Sequence, residues 1–114
     1  MKIIYLGLLL SLIIQTEDYE GLWKTNKDHT IIEIYKENNI YYGKIVSSNN
    51  SKAKKGTLIL RDFKYLNGKY IGKLYAIKID KLVDAEMKIN NGILEITAQL
   101  GFMNKTIEWK KISK

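Results

Sequence analysis

The sequence predicts an all-β fold, a single eight-stranded antiparallel barrel of the up-and-down type. Apolar and polar residues alternate along most of the chain after residue 16, and no stretch has convincing helical periodicity. Two Asn-Gly pairs, Asn67-Gly68 and Asn91-Gly92, are typical of two-residue hairpin turns. The 98 residues from 17 to 114 cannot cover both faces of two large sheets, whereas closing one sheet removes its edges. A flattened two-sheet sandwich is the alternative fold.

The first sixteen residues have the pattern of a signal peptide. Lys2 is a short charged start, and residues 3–14 are an apolar run, shorter than the roughly 18–20 residues that span a bilayer. A buried strand or helix is the alternative, but no polar face interrupts the run. We therefore expect a signal peptide at 1–16, a barrel domain at 17–114 and an exported protein, periplasmic or secreted, with no transmembrane segment in the mature chain. Because the chain has no cysteine, its stability must come from the core.

The charge balance is basic, with a net charge of +7 that becomes +6 once Lys2 is removed. Of the 19 basic residues, Arg61 alone is an arginine. Direct reading of bases favours the forked guanidinium of arginine, and the lysines are scattered along alternating strands as on a solvated face. We therefore expect no nucleic-acid partner. A weak attraction to anionic surfaces is the remaining interpretation of the charge.

The first half of the chain contains three strands and a long loop. Polar turns at 26–28 and 37–39 separate strands at 19–25, 29–36 and 40–46. Gly43 interrupts the third strand, which indicates a bulge or the close approach of another backbone. Residues 47–55 are polar except for Ala53 and form the longest loop.

A second hairpin is predicted around Asn67-Gly68, with a strand beginning at residue 56. A two-residue turn there pairs Tyr65 with Tyr70, Phe63 with Gly72, Arg61 with Leu74, and Ile59 with Ala76. On its other face the same register pairs Leu60 with Tyr75, Leu58 with Ile77, and Asp62 with Lys73. Both faces carry apolar groups, so either one can be the interior.

The third hairpin, around Asn91-Gly92, follows a turn at Asp80-Lys81 and has the clearest pattern. A type I′ turn pairs Ile89 with Leu94, Met87 with Ile96, Ala85 with Ala98, and Val83 with Leu100. On the other face, Lys88 meets Glu95 and Glu86 meets Thr97. Every apolar residue has an apolar partner, so the two-residue alternation of the strands and the position of the turn predict the same register. Gly101 ends this hairpin, and residues 103–112 form the last strand.

Eight short motifs follow one another along the chain: Gly21-Leu22-Trp23-Lys24-Thr25, Ile32-Glu33-Ile34-Tyr35, Tyr42-Gly43-Lys44-Ile45-Val46, Gly56-Thr57-Leu58-Ile59-Leu60, Gly72-Lys73-Leu74-Tyr75, Leu94-Glu95-Ile96, Leu100-Gly101-Phe102 and Ile107-Glu108-Trp109. Their order and rough spacing resemble the domain-of-unknown-function 2147 family, small exported bacterial proteins similar to lipocalins. Gly21 and Trp23 are also similar to the first-strand signature of lipocalins, in which the tryptophan closes the barrel bottom against a basic side chain. The resemblance implies a lipocalin- or calycin-like barrel and export, and it implies no chemistry.

The chain offers little for catalysis or for binding a metal. His29 is the only histidine and there is no cysteine, so a zinc site would need carboxylates to complete it; a surface position next to a turn is the simpler interpretation. Serines cluster in the 47–55 loop without an orienting acid and base. Asp84 and Glu86 alternate outward, and the glycines are dispersed rather than gathered in a phosphate loop. We expect no enzyme, no cofactor and no metal.

Binding of a small apolar or amphipathic molecule inside the barrel is the first functional hypothesis. The predicted wall consists of apolar inward residues, namely Val83, Ala85, Met87, Leu94, Ile96 and Ala98, with space beside the small pair Ala85 and Ala98. Arg61, or a hydroxyl such as that of Tyr42 or Tyr75, would fix a polar head group. Arg61 could instead stack on Trp23 or lie exposed over outer aromatics.

A protein-interaction or inhibitor module of the cell envelope is the second functional hypothesis. It has a filled core and works through the 47–55 loop and the basic outer strands. It predicts a salt-sensitive association with an acidic partner.

Overall fold

The computed structural model describes residues 18–113, so the predicted signal peptide at 1–16 lies outside the described residues. Eight strands are present: β1 Gly21–Lys24, β2 Ile31–Glu37, β3 Ile40–Ser47, β4 Leu58–Leu66, β5 Lys69–Ala76, β6 Lys81–Asn90, β7 Ile93–Leu100 and β8 Met103–Ser113. Each strand pairs antiparallel with the next, and β8 returns to pair with β1. The predicted eight-stranded up-and-down barrel is confirmed. A short 3₁₀ turn, Ile77–Ile79, joins β5 to β6.

Three tight turns are built from asparagine and glycine alone, at residues 38–39, 67–68 and 91–92. Both residues of each turn have positive φ, from 52° at Asn38 and Asn67 to 85° at Gly68. Positive φ at both central positions is the type I′ geometry that matches the twist of the flanking strands. Around Asn91-Gly92 the pairs from Ala85–Ala98 to Ile89–Leu94 form as predicted. The pattern therefore gave the correct register next to the turn, whereas the predicted Val83–Leu100 pair does not form and the ladder ends at Ala85 and Ala98.

The register predicted for the β4–β5 hairpin is correct only next to its turn. Tyr65 pairs with Tyr70, but further along Arg61 pairs with Lys73 and Leu60 with Leu74. The predicted Arg61–Leu74 and Ile59–Ala76 pairs are wrong.

A bulge explains this change of register. Asp62 and Phe63 together face one residue, Gly72, and Asp62 adopts φ of 56°. This extra residue turns Arg61 away from the face that Phe63 occupies. The predicted pairing of Asp62 with Lys73 is also wrong, because Lys73 pairs with Arg61 on β4 and forms an ion pair with Asp84 on β6.

Gly43 lies between two register shifts in the β3–β4 ladder, which confirms the predicted irregularity. A Cβ atom at Gly43 would lie 3.0 Å from Leu60 Cδ1 and 3.2 Å from Ile32 Cγ2. The absence of a side chain therefore lets Leu60 and Ile32 pack closely over the backbone of Gly43.

The up-and-down topology gives the barrel two different ends. Connections alternate between them, so the tight turns 38–39, 67–68 and 91–92 share one end with residues before β1; we call it the turn end. The opposite end, the loop end, carries the connections 25–30, 48–57, 77–80 and 101–102. The two ends therefore differ in chain length and in composition.

Candidate functional site

The interior of the barrel is occupied by its own side chains. Those almost completely removed from solvent are Trp23, Phe63, Ile32, Ile34, Ile45, Leu60, Met87, Leu94 and Ile96. They form one cluster with residues such as Tyr41, Leu74 and Trp109. In an eight-stranded barrel the interior is just wide enough for side chains to fill it or for one small ligand. This barrel shows the first arrangement.

Phe63 occupies the place where small residues were predicted to leave space. Gly72, Ala85 and Ala98 are cross-strand neighbours on β5, β6 and β7, so they form a row of small residues. A Cβ atom at Gly72 would lie 2.7 Å from the ring of Phe63, so the ring rests directly on this glycine. Phe63 itself is fully buried. The row of small residues therefore accommodates an aromatic side chain of the protein.

The structure brings the apolar site residues together and separates them from the polar ones. Ala85, Met87, Ile96 and Ala98 are all buried and share the interior wall of the β6–β7 hairpin, as predicted. This wall belongs to the hydrophobic core. Its position is therefore compatible with a structural role as well as with contact to a ligand.

Tyr42 and Tyr75 lie in register with outward-facing residues. Tyr42 pairs with Tyr35, and their rings stack with centroids 5.7 Å apart. Partial burial, followed by the negative charge of Asp62, raises the pKa of the Tyr42 phenol. Tyr75 donates a 2.5 Å hydrogen bond to Asp80, and this bond is the main reason that its pKa is raised. Both hydroxyls therefore interact with carboxylates of neighbouring segments.

Arg61 lies on the same outward register, opposite Lys73. Its Nε atom is buried and makes no hydrogen bond to any described residue. Lys73 in turn faces Asp84 with an exposed ion pair, which marks the outer side of the sheet. The structure therefore does not bring Arg61 together with the apolar wall of Ala85 and Met87.

Lys111, rather than Arg61, is the basic residue that covers Trp23. Its Nζ lies 5.1 Å from the centre of the Trp23 ring, within the range of a cation–π contact, and donates a 3.0 Å hydrogen bond to the Asp18 carbonyl. The Trp23 indole N–H donates a 2.9 Å bond to the Tyr19 carbonyl. These two bonds hold the segment before β1 against the barrel. The resemblance to lipocalins implied a basic partner for Trp23, and the pairing of β1 with β8 supplies it.

Tyrosines fill the turn end. The ring of Tyr19 lies 5.3 Å from that of Tyr41 and 4.9 Å from that of Tyr70, and Tyr65 packs at 5.1 Å on Tyr70. Burial, followed by the nearby Tyr70, raises the pKa of Tyr41 to about 12. The turn end is therefore closed by aromatic packing around the buried Tyr41 ring.

The long connection 48–57 is anchored at the loop end by its own hydrogen bonds. The Ser48 and Thr30 hydroxyls are 2.6 Å apart, and the Asn49 N–H donates to the Asp28 carbonyl at 2.8 Å. The Gly56 N–H donates to the Ile45 carbonyl at 2.8 Å. Ala53, the apolar residue of this loop, is buried and belongs to the core cluster. The connection is thus a structured part of the domain. Its lysines, Lys52, Lys54 and Lys55, are exposed on a hydrogen-bonded backbone.

The loop end concentrates exposed positive charge. Six exposed lysines lie in its connections or at the start of β6: Lys27, Lys52, Lys54, Lys55, Lys78 and Lys81. Only two carboxylates, Asp28 and Asp80, lie in the same segments, which leaves an excess of four positive charges. The four ion pairs among the described residues use lysines of the barrel wall and none of these six.

The clustering of these lysines was missed by reasoning from the sequence, which treated them as scattered. Their separation along the chain conceals it, since Lys27 and Lys81 are far apart in sequence. The alternation of connections in an up-and-down barrel was the available signal, because every second connection lies at the same end.

Two depressions on the surface of the described residues open outside the barrel. One lies on the outer face of the last four strands, among Ile71, Glu86 and Thr97. The other, at the loop end, is lined by residues including Thr25, His29 and Asn49, and His29 is exposed as predicted. Among residues 18–113 no group of three or more metal-binding side chains comes together, and no helix is long and apolar enough to span a bilayer.

Comparison with known proteins agrees with the order of motifs in the sequence. Searches of curated proteins and of solved structures find no match to the chain. One family model matches residues 21–111, which include nearly all of the barrel from β1 into β8. The chain therefore belongs to the family described as "Uncharacterized protein conserved in bacteria (DUF2147)".

Proposed function

We propose that this protein is an exported, noncatalytic interaction module that binds an anionic partner through the loop end of its barrel. The observation that carries the proposal is the group of six exposed lysines gathered by topology at one end. A local excess of positive charge raises the concentration of an anionic partner near the surface and speeds its association. The barrel is the rigid scaffold that holds the four connections in place.

The packed interior supports this role more than that of a carrier of small molecules. A ligand beside Ala85 and Ala98 would have to displace Phe63, whose ring rests on Gly72. Displacing a fully buried phenylalanine exposes a large apolar surface and costs about 1.5–3 kcal/mol before the ligand contributes any contact. The polar residues expected to hold a head group lie on the outward register instead.

The absence of catalysis is part of the proposal. The two phenols considered for a site, Tyr42 and Tyr75, have pKa values raised above their usual range, so they stay neutral at physiological pH. His29, on the rim of the loop-end depression, is exposed, and the Thr25 hydroxyl in the same depression donates a hydrogen bond to the Lys27 carbonyl. A charge-based surface needs none of the nucleophile, base and orienting groups of an active site.

Binding to fluorescent polyglutamate, a simple acidic partner, tests the proposal. We compare the wild type with a loop-end variant, Lys52→Gln, Lys54→Gln and Lys55→Gln combined, and with a wall variant, Lys64→Gln, Lys88→Gln and Lys110→Gln combined. Both triple variants lose three positive charges, so the comparison isolates their position.

We expect salt-sensitive binding that is lost in the loop-end variant and largely kept in the wall variant, because charges beyond a Debye length of about 10 Å at 0.1 M salt are screened. Equal losses in the two variants would show that net charge alone is responsible and would contradict the proposal. Binding that is insensitive to salt would also contradict it.

A further inference from the structure

The loop end carries exposed apolar side chains among its lysines. Phe102, at the tip of the turn between β7 and β8, is 98% exposed, and Met103 beside it is 57% exposed. Ile79 and Leu82, in and after the connection 77–80, are 51% and 46% exposed. Large apolar groups exposed together are uncommon on soluble proteins and mark interaction sites.

These four side chains belong to adjacent connections. β6 starts at Lys81 and β7 ends at Leu100, and the two strands are hydrogen-bonded neighbours. The connection 77–80 and the turn 101–102 therefore lie at the same end of the barrel on neighbouring strands, and the ladder between these strands ends at Ala85 and Ala98. We call Ile79, Leu82, Phe102 and Met103 the apolar tip.

Lysines lie near the apolar tip in the sequence. Lys78 precedes Ile79, Lys81 begins β6 directly before Leu82, and Lys105 follows Met103 on β8; all three are exposed. Exposed apolar side chains near cations favour binding to the surface of an anionic bilayer. Phe102 is 98% exposed, so its ring stands clear of the rest of the described chain and is free to enter a deformable lipid surface.

The turn end also exposes apolar side chains, but with less unpaired positive charge beside them. Leu66, which precedes the turn 67–68, is 55% exposed and thus comparable to Met103. Lys64 and Lys69 are exposed near Leu66 in the sequence, and Lys69 forms an ion pair with Glu86 at 3.2 Å. Leu66 is therefore an apolar control with a weaker electrostatic attraction to a membrane.

We propose that the anionic partner of the loop end is a phospholipid membrane, into which Phe102 inserts while the exposed lysines of the loop end contact lipid phosphates. This inference rests on the proposed function and adds the identity of the partner. Lysines near an anionic bilayer each strengthen binding by roughly fivefold, and burial of a phenylalanine ring adds about tenfold.

Flotation with vesicles tests the inference. The purified protein is mixed with vesicles of phosphatidylcholine, either alone or with one third phosphatidylglycerol. The variants are Phe102→Ser, its matched control Leu66→Ser, and the loop-end and wall triple lysine variants. All of them share the same N-terminal residues, so any contribution of residues 1–17 cancels. Phe102 is almost fully exposed, so its replacement removes no packing.

We expect binding to vesicles with phosphatidylglycerol only, about tenfold weaker in Phe102→Ser and unchanged in Leu66→Ser. The loop-end triple variant should bind roughly a hundredfold more weakly, and the wall triple variant should lose far less. Equal binding of the wild type and Phe102→Ser would overturn insertion of the tip.

The variant Phe102→Trp gives an independent test of whether the side chain at position 102 inserts into the bilayer. Trp23 and Trp109 are 1% and 4% exposed, so an indole introduced at position 102 is the exposed one in residues 18–113. Its emission should shift to shorter wavelength on adding vesicles with phosphatidylglycerol. An unchanged spectrum would contradict insertion.

The two proposals can fail separately. If the protein binds polyglutamate through its loop-end lysines but does not bind these vesicles, the membrane proposal is refuted and the proposal of an anionic partner is retained. A protein that binds neither would refute both.

Discussion

Gly72→Ala is the substitution that most sharply tests how tightly the interior is packed. The new Cβ atom would lie 2.6 Å from the Arg61 carbonyl oxygen and 2.7 Å from the Phe63 ring, where ordinary contacts begin near 3.4 Å. Backbone and ring must both move, and overpacking of this kind costs about 1–3 kcal/mol. The lower entropy of the unfolded alanine chain returns about 0.4–1 kcal/mol. The net expectation is a loss of about 1–2 kcal/mol in the free energy of unfolding.

Urea denaturation followed by tryptophan fluorescence measures this loss, which corresponds to a fall in Tm of about 5–15 °C. Gly43→Ala is the matched control, since its closest contacts, 3.0–3.2 Å, are to the side chains of Leu60 and Ile32, which can shift. We expect a smaller loss there. In a Phe63→Leu background the cost of Gly72→Ala should shrink, because the ring is gone. A neutral or stabilising Gly72→Ala would refute the account of a filled interior.

Three further predictions follow from the same structure. Ala98→Leu, which adds bulk to a buried position, should lower the stability by about 1–3 kcal/mol; unchanged stability in urea would indicate an empty interior. The folded pKa of Tyr41, about 12, exceeds its unfolded value of 10.0, so ionisation favours unfolding. This contribution to stability is complete below pH 10 and is lost as the pH rises toward 12, by on the order of 1 kcal/mol after allowance for solvent screening. Tyr41→Phe should flatten the dependence in denaturation curves from pH 9 to 12, and an equally steep curve would argue against it. The intact mass of the exported protein should lack residues 1–16; retention of Lys2 would contradict the signal peptide.

The fold was predictable wherever turn chemistry and period agreed. Asn91-Gly92 fixed both the turn and the register of its hairpin, because a shift by one residue would turn Met87 and Ile96 outward. The β4–β5 hairpin has an equally clear Asn-Gly turn, but the bulge at Asp62 lies five residues away from it. An aspartate in a left-handed conformation cannot be recognised in a sequence pattern whose two faces are both apolar. The register of the β4–β5 hairpin beyond the bulge therefore could not be predicted from the sequence.

The candidate site depended on long-range geometry more than on pattern. The apolar wall that includes Ala85 and Met87 could be predicted from the alternation of apolar and polar residues alone. The partner of Trp23 required closure of the barrel, because Lys111 reaches it only when β8 pairs with β1. The lysines of the loop end are separated by up to 54 positions, from Lys27 to Lys81, and the topology alone unites them.

Amide NMR of the labelled protein during titration with polyglutamate tests the central claim most directly, namely that the loop end binds and the interior does not. We expect shift changes concentrated in residues 52–56, 77–81 and 101–105, with the buried amides of Leu94 and Ile96 unaffected. The changes should vanish at high salt, where the Debye length falls to about 3 Å at 1 M. Changes centred on the interior wall, or equal at both ends of the barrel, would contradict the account.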